Sequence, residues 1–222
     1  MSLADYHSLL LSLELALLTS LLLITLCTPL AFWLTHTHRL TRQAVQLGAL
    51  LTLVLPPTVL GYYLVLAMGP NYWLGSIWAA VFGSPFAFSF AGLVMGSAIY
   101  SFPFALQPLL MGFQTMNPHW NEVAATLGLS PSQRAMHIWL PHMLKSISLA
   151  LALVFAHTMG EFGIVLMIGG SIPQTRTASI ALFEHFETFN VAAANELALW
   201  LILSALLLLI PLYSFRQKQK AS

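Results

Sequence analysis

Between Arg42 and Glu122 the chain carries not one Asp, Glu, Lys or Arg. A water-facing surface cannot be built from so long a stretch without charge, so this part of the chain takes a bilayer as its solvent. Composition agrees. Of the 222 residues 58% are apolar and 7% are charged, against roughly 25% charged in a soluble domain, and mean hydropathy is +0.81. With 14 Phe, 6 Trp and 6 Tyr the chain is not disordered. A formal net charge of +1 leaves no basic stripe to neutralise phosphates, which excludes nucleic acid as a partner. The single Cys27 permits no disulfide framework. What remains is an integral membrane protein, all-α because its apolar runs have helical length.

A helix needs about 20 predominantly apolar residues to cross a hydrocarbon core of roughly 30 Å. Five segments qualify: about Leu9–Leu34, Ala44–Met68, Phe86–Gly112, Ser146–Gly170 and Ala192–Phe215. Gly69-Pro70-Asn71 separates the second from the third, and the aromatic stretch Tyr72–Phe82, too short to cross, reads as an interfacial helix. The first span lacks the basic flank and small-residue cleavage site of a signal peptide, so it is expected to stay in the mature protein. Of the eight Lys and Arg, Arg39, Arg42, Arg134, Lys145, Arg216, Lys218 and Lys220 share one side of a five-span chain, and only Arg176 lies on the other. The positive-inside rule then puts the N-terminus outside and the C-terminus in the cytoplasm.

The cytoplasmic segment at about 116–142 has the grammar of two short helices and a tight turn. Asn117 can cap the first, with Pro118 at its first position. Gly128 suits a left-handed C-terminal cap, and Ser130-Pro131-Ser132-Gln133 offers an N-cap, a first-position Pro and a capping-box Gln. Pro141 is expected to limit the second helix and begin the approach to span four. A rigid helix–turn–helix at the membrane surface suits the transmission of force from a cytoplasmic partner.

Within that segment Glu122, Ala124, Gly128, Ile138, Leu140 and Pro141 fit the spacing Glu-X-Ala, three residues, Gly, nine residues, Ile-X-Leu-Pro. This resembles the EAA loop of permease subunits of binding-protein-dependent ABC importers, with Val123 in place of the usual second-position Ala. Leu55-Pro56-Pro57-Thr58-Val59-Leu60-Gly61-Tyr62, Ser101-Phe102-Pro103, Gly160-Glu161-Phe162-Gly163 and Ile172-Pro173 with Thr175-Arg176-Thr177 look like the molybdate, tungstate and sulfate branch, most nearly molybdate permeases. Gln107, Thr126 and His157 stand where those permeases commonly carry Arg.

The resemblance implies a single permease domain over residues 1–222 with type I importer (MetI-like) architecture, in the bacterial inner membrane. It implies a homodimer that docks two ATP-binding subunits through Glu122, Ala124, Ala125, Gly128, Ile138, Leu140 and Pro141. A periplasmic or extracellular receptor would deliver the oxyanion. The chain itself is then no enzyme and holds no cofactor; ATP and Mg belong to the partner subunit, in keeping with the lack of a Gly-X4-Gly-Lys phosphate loop here.

Three carboxylates fall within spans: Glu14 and Glu196 near the outer ends, and Glu161 deeper. His157 precedes Glu161 by four residues, so on a continuous helix both project from one face. Two readings follow. The pair fixes helix packing, or His157, Gly160, Glu161, Phe162 and Gly163 form a flexible, close-packed gate on the translocation path. Direct binding of an oxyanion by Glu161 is excluded by like charge. With no Cys pair and no His-Glu-X-X-His, a metal site is not expected. A proton-coupled carrier working through His157, Glu161 and Glu14 is the competing function, but it has no need of an EAA loop, and no internal repeat is visible.

Overall fold

Inside a bilayer every backbone N–H and C=O must be satisfied within its own segment. Among the described residues the chain answers with helices alone. The computed structural model describes residues 2–117 and 119–218, so the expected first-position role of Pro118 and the tail residue Lys220 lie outside the described residues. The helices are α1 (Leu3–Thr35), α2 (Arg39–Val54), α3 (Pro57–Met68), α4 (Trp73–Phe82), α5 (Phe90–Gln114), α6 (His119–Thr126), α7 (Pro131–Arg134), α8 (Leu140–Met159), α9 (Gly163–Gly169), α10 (Ala178–Glu187) and α11 (Val191–Lys218), with a π-helical turn at Ala135–Trp139 before α8.

The centre is a packed trio of α1, α5 and α8. On α1, Leu9, Ala16, Leu23, Cys27, Ala31 and Leu34 face inward at helical spacing, while Leu10, Leu17, Leu18 and Leu21 face outward. A helix apolar on every side, with its small residues turned inward, is the membrane pattern. Leu23, Cys27, Leu106, Leu109 and Val154 make one core. Leu15, Met68, Leu93, Ile164 and Ile180 make a second, which binds α3, α9 and α10 to the trio. Apolar burial gives little drive between helices in lipid, so close backbone approach carries more of the packing. A Cβ on Gly61 of α3 would lie 2.7 Å from Met167 Cβ on α9, and one on Gly112 of α5 would lie 2.8 Å from Met143 Sδ on α8.

Two expected spans are not continuous. Span two breaks after α2, and α3 leaves at 109°. The cause is Pro56-Pro57: neither residue has an N–H to donate, and each disfavours helical backbone before it. Leu55 and Pro56 are accordingly extended, with ψ of 137° and 133°. Span four breaks between Met159 and Gly163, leaving α9 as a separate short helix. The opposite correction applies at Pro141. It does not end a loop helix; residues 132–159 run as one helical stretch. The π turn makes this tolerable, since its wider i→i−5 bonding, seen in Leu140 N–H to the Ala135 carbonyl, admits a proline that an unbroken α-helix would reject. The stretch expected to form an interfacial helix is helical, as α4, with Trp73, Ile77 and Val81 exposed along one side. Helix α10 lies in what reads as a loop in the sequence.

Candidate functional site

Two places bring the singled-out residues together. The first is the end of the bundle formed by the C-terminus of α1, α6, α7 and the start of α8. The Asn117 side chain accepts from His119 N–H at 3.0 Å. Gly128 has φ +73°, and Leu129 N–H returns to the Ala124 carbonyl at 3.0 Å, which closes α6 by a left-handed cap. The capping box forms as the sequence predicts: Ser130 N–H donates to Gln133 Oε1 at 2.8 Å and Gln133 N–H to Ser130 Oγ at 3.3 Å. Arg134 Nε locks the turn through the Leu129 carbonyl at 2.8 Å.

This unit is fastened to the bundle. Trp139 packs on Phe32 of α1 with ring centroids 4.6 Å apart, and His142 Nε2 lies 3.2 Å from the Gly112 carbonyl of α5. Ala124 is buried, facing a groove of about 440 Å³ between α6 and the π turn, which Trp120, Leu127, Ile138 and Pro141 also line. Trp120, Val123 and Leu127 are exposed at spacings of three and four along α6, joined by Met136 and Leu140. Glu122 is exposed and, among the described residues, pairs with its neighbour His119 at 3.0 Å. The side chain of Ala125 lies outside the described residues. The arrangement is a capped knob with an apolar ridge and one surface carboxylate.

The second place is the break between α8 and α9. The expected His157–Glu161 pair is not formed. Helix α8 ends at Met159 with Gly160 as its C-cap, so four-residue spacing no longer puts both side chains on one face. His157 Nδ1 instead meets Ser101 Oγ of α5 at 2.9 Å, and Ser101 reaches Thr158 Oγ1 at 3.2 Å. Its ring packs against Tyr100 and Phe104 in tilted contacts, with centroids 4.8 and 4.3 Å away. Glu161 is buried, and its carboxyl faces the buried Ser97 Oγ of α5 without a well-formed hydrogen bond to it or to any other described residue. Glu14 is exposed on α1. The groups a proton relay would need are therefore not assembled. Gly160 is exposed and has room for a methyl, while Gly163 is pressed against Pro57 of α3, where a Cβ would lie 2.8 Å from the proline Cβ. The two helix breaks of the chain thus abut. Phe162 packs on Phe183 of α10 at 5.0 Å.

Sequence reasoning missed a third feature, at the end opposite the knob. Arg176 Nε donates to Glu184 Oε2 at 2.6 Å, and its Nη1 reaches Asp5 Oδ1 at 3.2 Å and Ser8 Oγ at 2.9 Å. His185 Nε2 meets Asp5 Oδ1 at 2.9 Å, and Ser171 Oγ donates to Glu184. Burial pushes the Glu184 carboxyl up, but the bonds from Ser171 and Arg176 and the charge of Arg176 outweigh it and hold the group below its ordinary value. The one signal available in the sequence was Arg176 itself, the lone basic residue on its side.

Comparison with known proteins decides the lineage. Residues 13–218 match the family of binding-protein-dependent transport system inner membrane components. The chain belongs to this family. It is a multi-pass inner-membrane permease subunit of a transport system, not an enzyme. A molybdenum transport system permease protein of Azotobacter vinelandii is 42% identical over 96% of this chain and 95% of its own length. One from Haemophilus influenzae is 32% identical over 86% and 87%, and a sulfate transport permease of Escherichia coli is 28% identical over 84% and 68%. Among solved structures, a bacterial ABC transporter involved in alginate import has a chain that superposes with a TM-score of 0.78 at 16% identity, covering 98% of this chain and 80% of that one. That likeness supports the fold, a type I importer permease.

Proposed function

We propose that this chain is the permease subunit of an ATP-driven molybdate importer, working as a homodimer with an ATP-binding subunit on each protomer and an external oxyanion receptor. The observation that carries the ATP-driven part is the capped knob at 116–142. It is capped at both turns and fastened to α1 and α5 through Trp139 and His142, and it presents an apolar ridge with Glu122 exposed on its surface. A soluble motor that grips it moves three spans at once. The knob end then faces the cytoplasm and Arg176 faces outside, in agreement with the distribution of Lys and Arg. Molybdate is favoured over sulfate by the greater likeness to molybdenum permeases along the whole chain.

The route runs past the abutting breaks at Pro57 and Gly163, because discontinuous helices are where a membrane protein can rearrange without exposing backbone to lipid. ATP binding draws the two knobs together and ATP hydrolysis releases them, so that the protomers rock between inward- and outward-open arrangements. The test is uptake of labelled molybdate by proteoliposomes holding the permease, its ATPase and its receptor. Uptake that requires ATP and both partners is the expected result. Uptake driven by a proton gradient without the ATPase would overturn the proposal.

A further inference from the structure

Glu161 occupies a position that the break itself does not favour. Its carboxyl is buried and faces only the buried Ser97 Oγ of α5 among the described residues, in a contact that falls short of a well-formed hydrogen bond. Such a group is costly whether charged or neutral. Residues 160–162 lie between two helices rather than within one, so the backbone that carries Glu161 can turn. Something must hold it in.

The holding element is the segment 175–179. Ser179 Oγ donates to the Glu161 backbone carbonyl at 2.6 Å. Ser179 is in the first turn of α10, and that turn is anchored from three sides. Ala178 N–H donates to Ser12 Oγ of α1 at 2.8 Å, and Thr175 Oγ1 donates to the Gly169 carbonyl at the end of α9 at 2.5 Å. Arg176 ties the segment to Asp5 of α1 and Glu184 of α10. Hydrogen bonds, an ion pair and the short backbone of 176–179 therefore link the N-terminal end of α1 to the break.

We propose that residues 175–179 act as a latch on the gate, with the Arg176 cluster keeping Glu161 buried until a partner at that end of the molecule loosens it. The buried, poorly compensated carboxyl is the spring, and the ion cluster is the catch. This rests on the reading of the break at Gly160–Gly163 as a gate. The two elements have opposed effects, so they are separable by mutation: loss of the catch favours release of the break, and loss of the spring favours its retention.

The test uses the complete transporter, with ATPase subunits and receptor, in lipid nanodiscs. Cys27→Ala removes the native thiol and Phe162→Cys supplies a half-buried reporter, whose rate of maleimide labelling is measured with and without nucleotide. Arg176→Gln is expected to raise nucleotide-free labelling about tenfold, within the usual range of coupling between sites, and Glu161→Leu added to it is expected to bring the rate back. Ser179→Ala, which leaves the cluster intact, should shift labelling in the same direction and stands in if Arg176→Gln does not fold. Nucleotide-dependent labelling that none of these variants alters would overturn the latch while leaving the gate. Labelling that is insensitive to nucleotide in the Phe162→Cys protein would overturn the gate itself, and the latch with it.

Discussion

Gly163, the first residue of α9, lies against Pro57, the first residue of α3, so closely that a Cβ on the glycine would be 2.8 Å from the proline Cβ. Each residue begins a helix after a break, so one contact registers both discontinuities. Pro57 needs no partner for a missing N–H at that position, and Gly163 alone lets the two helix starts meet. Where Gly160 is set in open space, with nothing nearer than 3.6 Å to an added Cβ, its lack of a side chain has no such role.

The first prediction contrasts these two glycines. Gly163→Ala forces α9 away from α3 and should lower stability by about 1–3 kcal/mol, the usual cost of overpacking. Gly160→Ala should stay within about 0.5 kcal/mol of the parent, as for substitutions that touch nothing. Thermal unfolding of the two variants in detergent checks the ranking. Equal effects would mean that the α3–α9 contact does not set the spacing of the breaks.

What the sequence disclosed and what it hid divide along a physical line. Caps, the αL glycine and the capping box at Asn117, Gly128 and Ser130–Gln133 were legible because each depends on residues within one turn of each other. Burial of a long apolar helix such as α5 was legible from hydropathy. The breaks were not, although Pro56-Pro57 was in plain view, because apolar composition runs straight through both bends and hydropathy has no term for direction. The His157–Glu161 pairing failed for the same reason: it assumed a helix that ends two residues too soon. The Arg176 cluster joins residues 171 positions apart, at Asp5 and Arg176, and no local pattern announces such a contact.

A second prediction concerns the knob. An added Cβ at Gly128 meets nothing within 4 Å, but the backbone there has φ +73°. Gly128→Val is therefore resisted by backbone conformation and not by crowding, at about 1–2 kcal/mol. The permease should still insert, while its co-purification with the ATPase falls sharply. Gly128→Asn, which tolerates this backbone region better, should retain most of the partner. Full retention of partner and uptake by the Val variant would remove the knob from the coupling mechanism.

The ion cluster gives a pH dependence with a defined sign. Glu184 has an ordinary value of 4.5, and the folded protein holds it lower. Its contribution is complete above 4.5 and is lost as pH falls through the lower folded value. The groups facing it are Arg176, His185 and Ser171. Comparing unfolding temperatures of the parent and Glu184→Gln between pH 7 and pH 3 should show a gap that narrows only below the ordinary carboxylate range. A gap that is constant throughout would mean that the carboxylate charge adds nothing to the clasp.

The last prediction concerns which ion is carried. Among the expected spans no Lys or Arg is present, and the one basic residue on the receptor side, Arg176, already serves Asp5 and Glu184. Among the described residues, then, the expected spans offer an anion no Lys or Arg. On the proposed function, discrimination between molybdate and the smaller sulfate then falls to the external receptor, where donors fixed around the ion would reject one of the wrong size. His157 is engaged with Ser101 and packs against Tyr100 and Phe104, so its imidazole is placed to pack, not to sort. Replacing both Gln107 and His157 with Arg should change the rate of transport or the yield of protein, through lost packing and added charge, without altering ion preference. Uptake of labelled molybdate and sulfate would be measured side by side in proteoliposomes with the receptor and ATPase. A reversed preference in the double variant would place selectivity inside the membrane and make the side chains at 107 and 157 part of the anion's path.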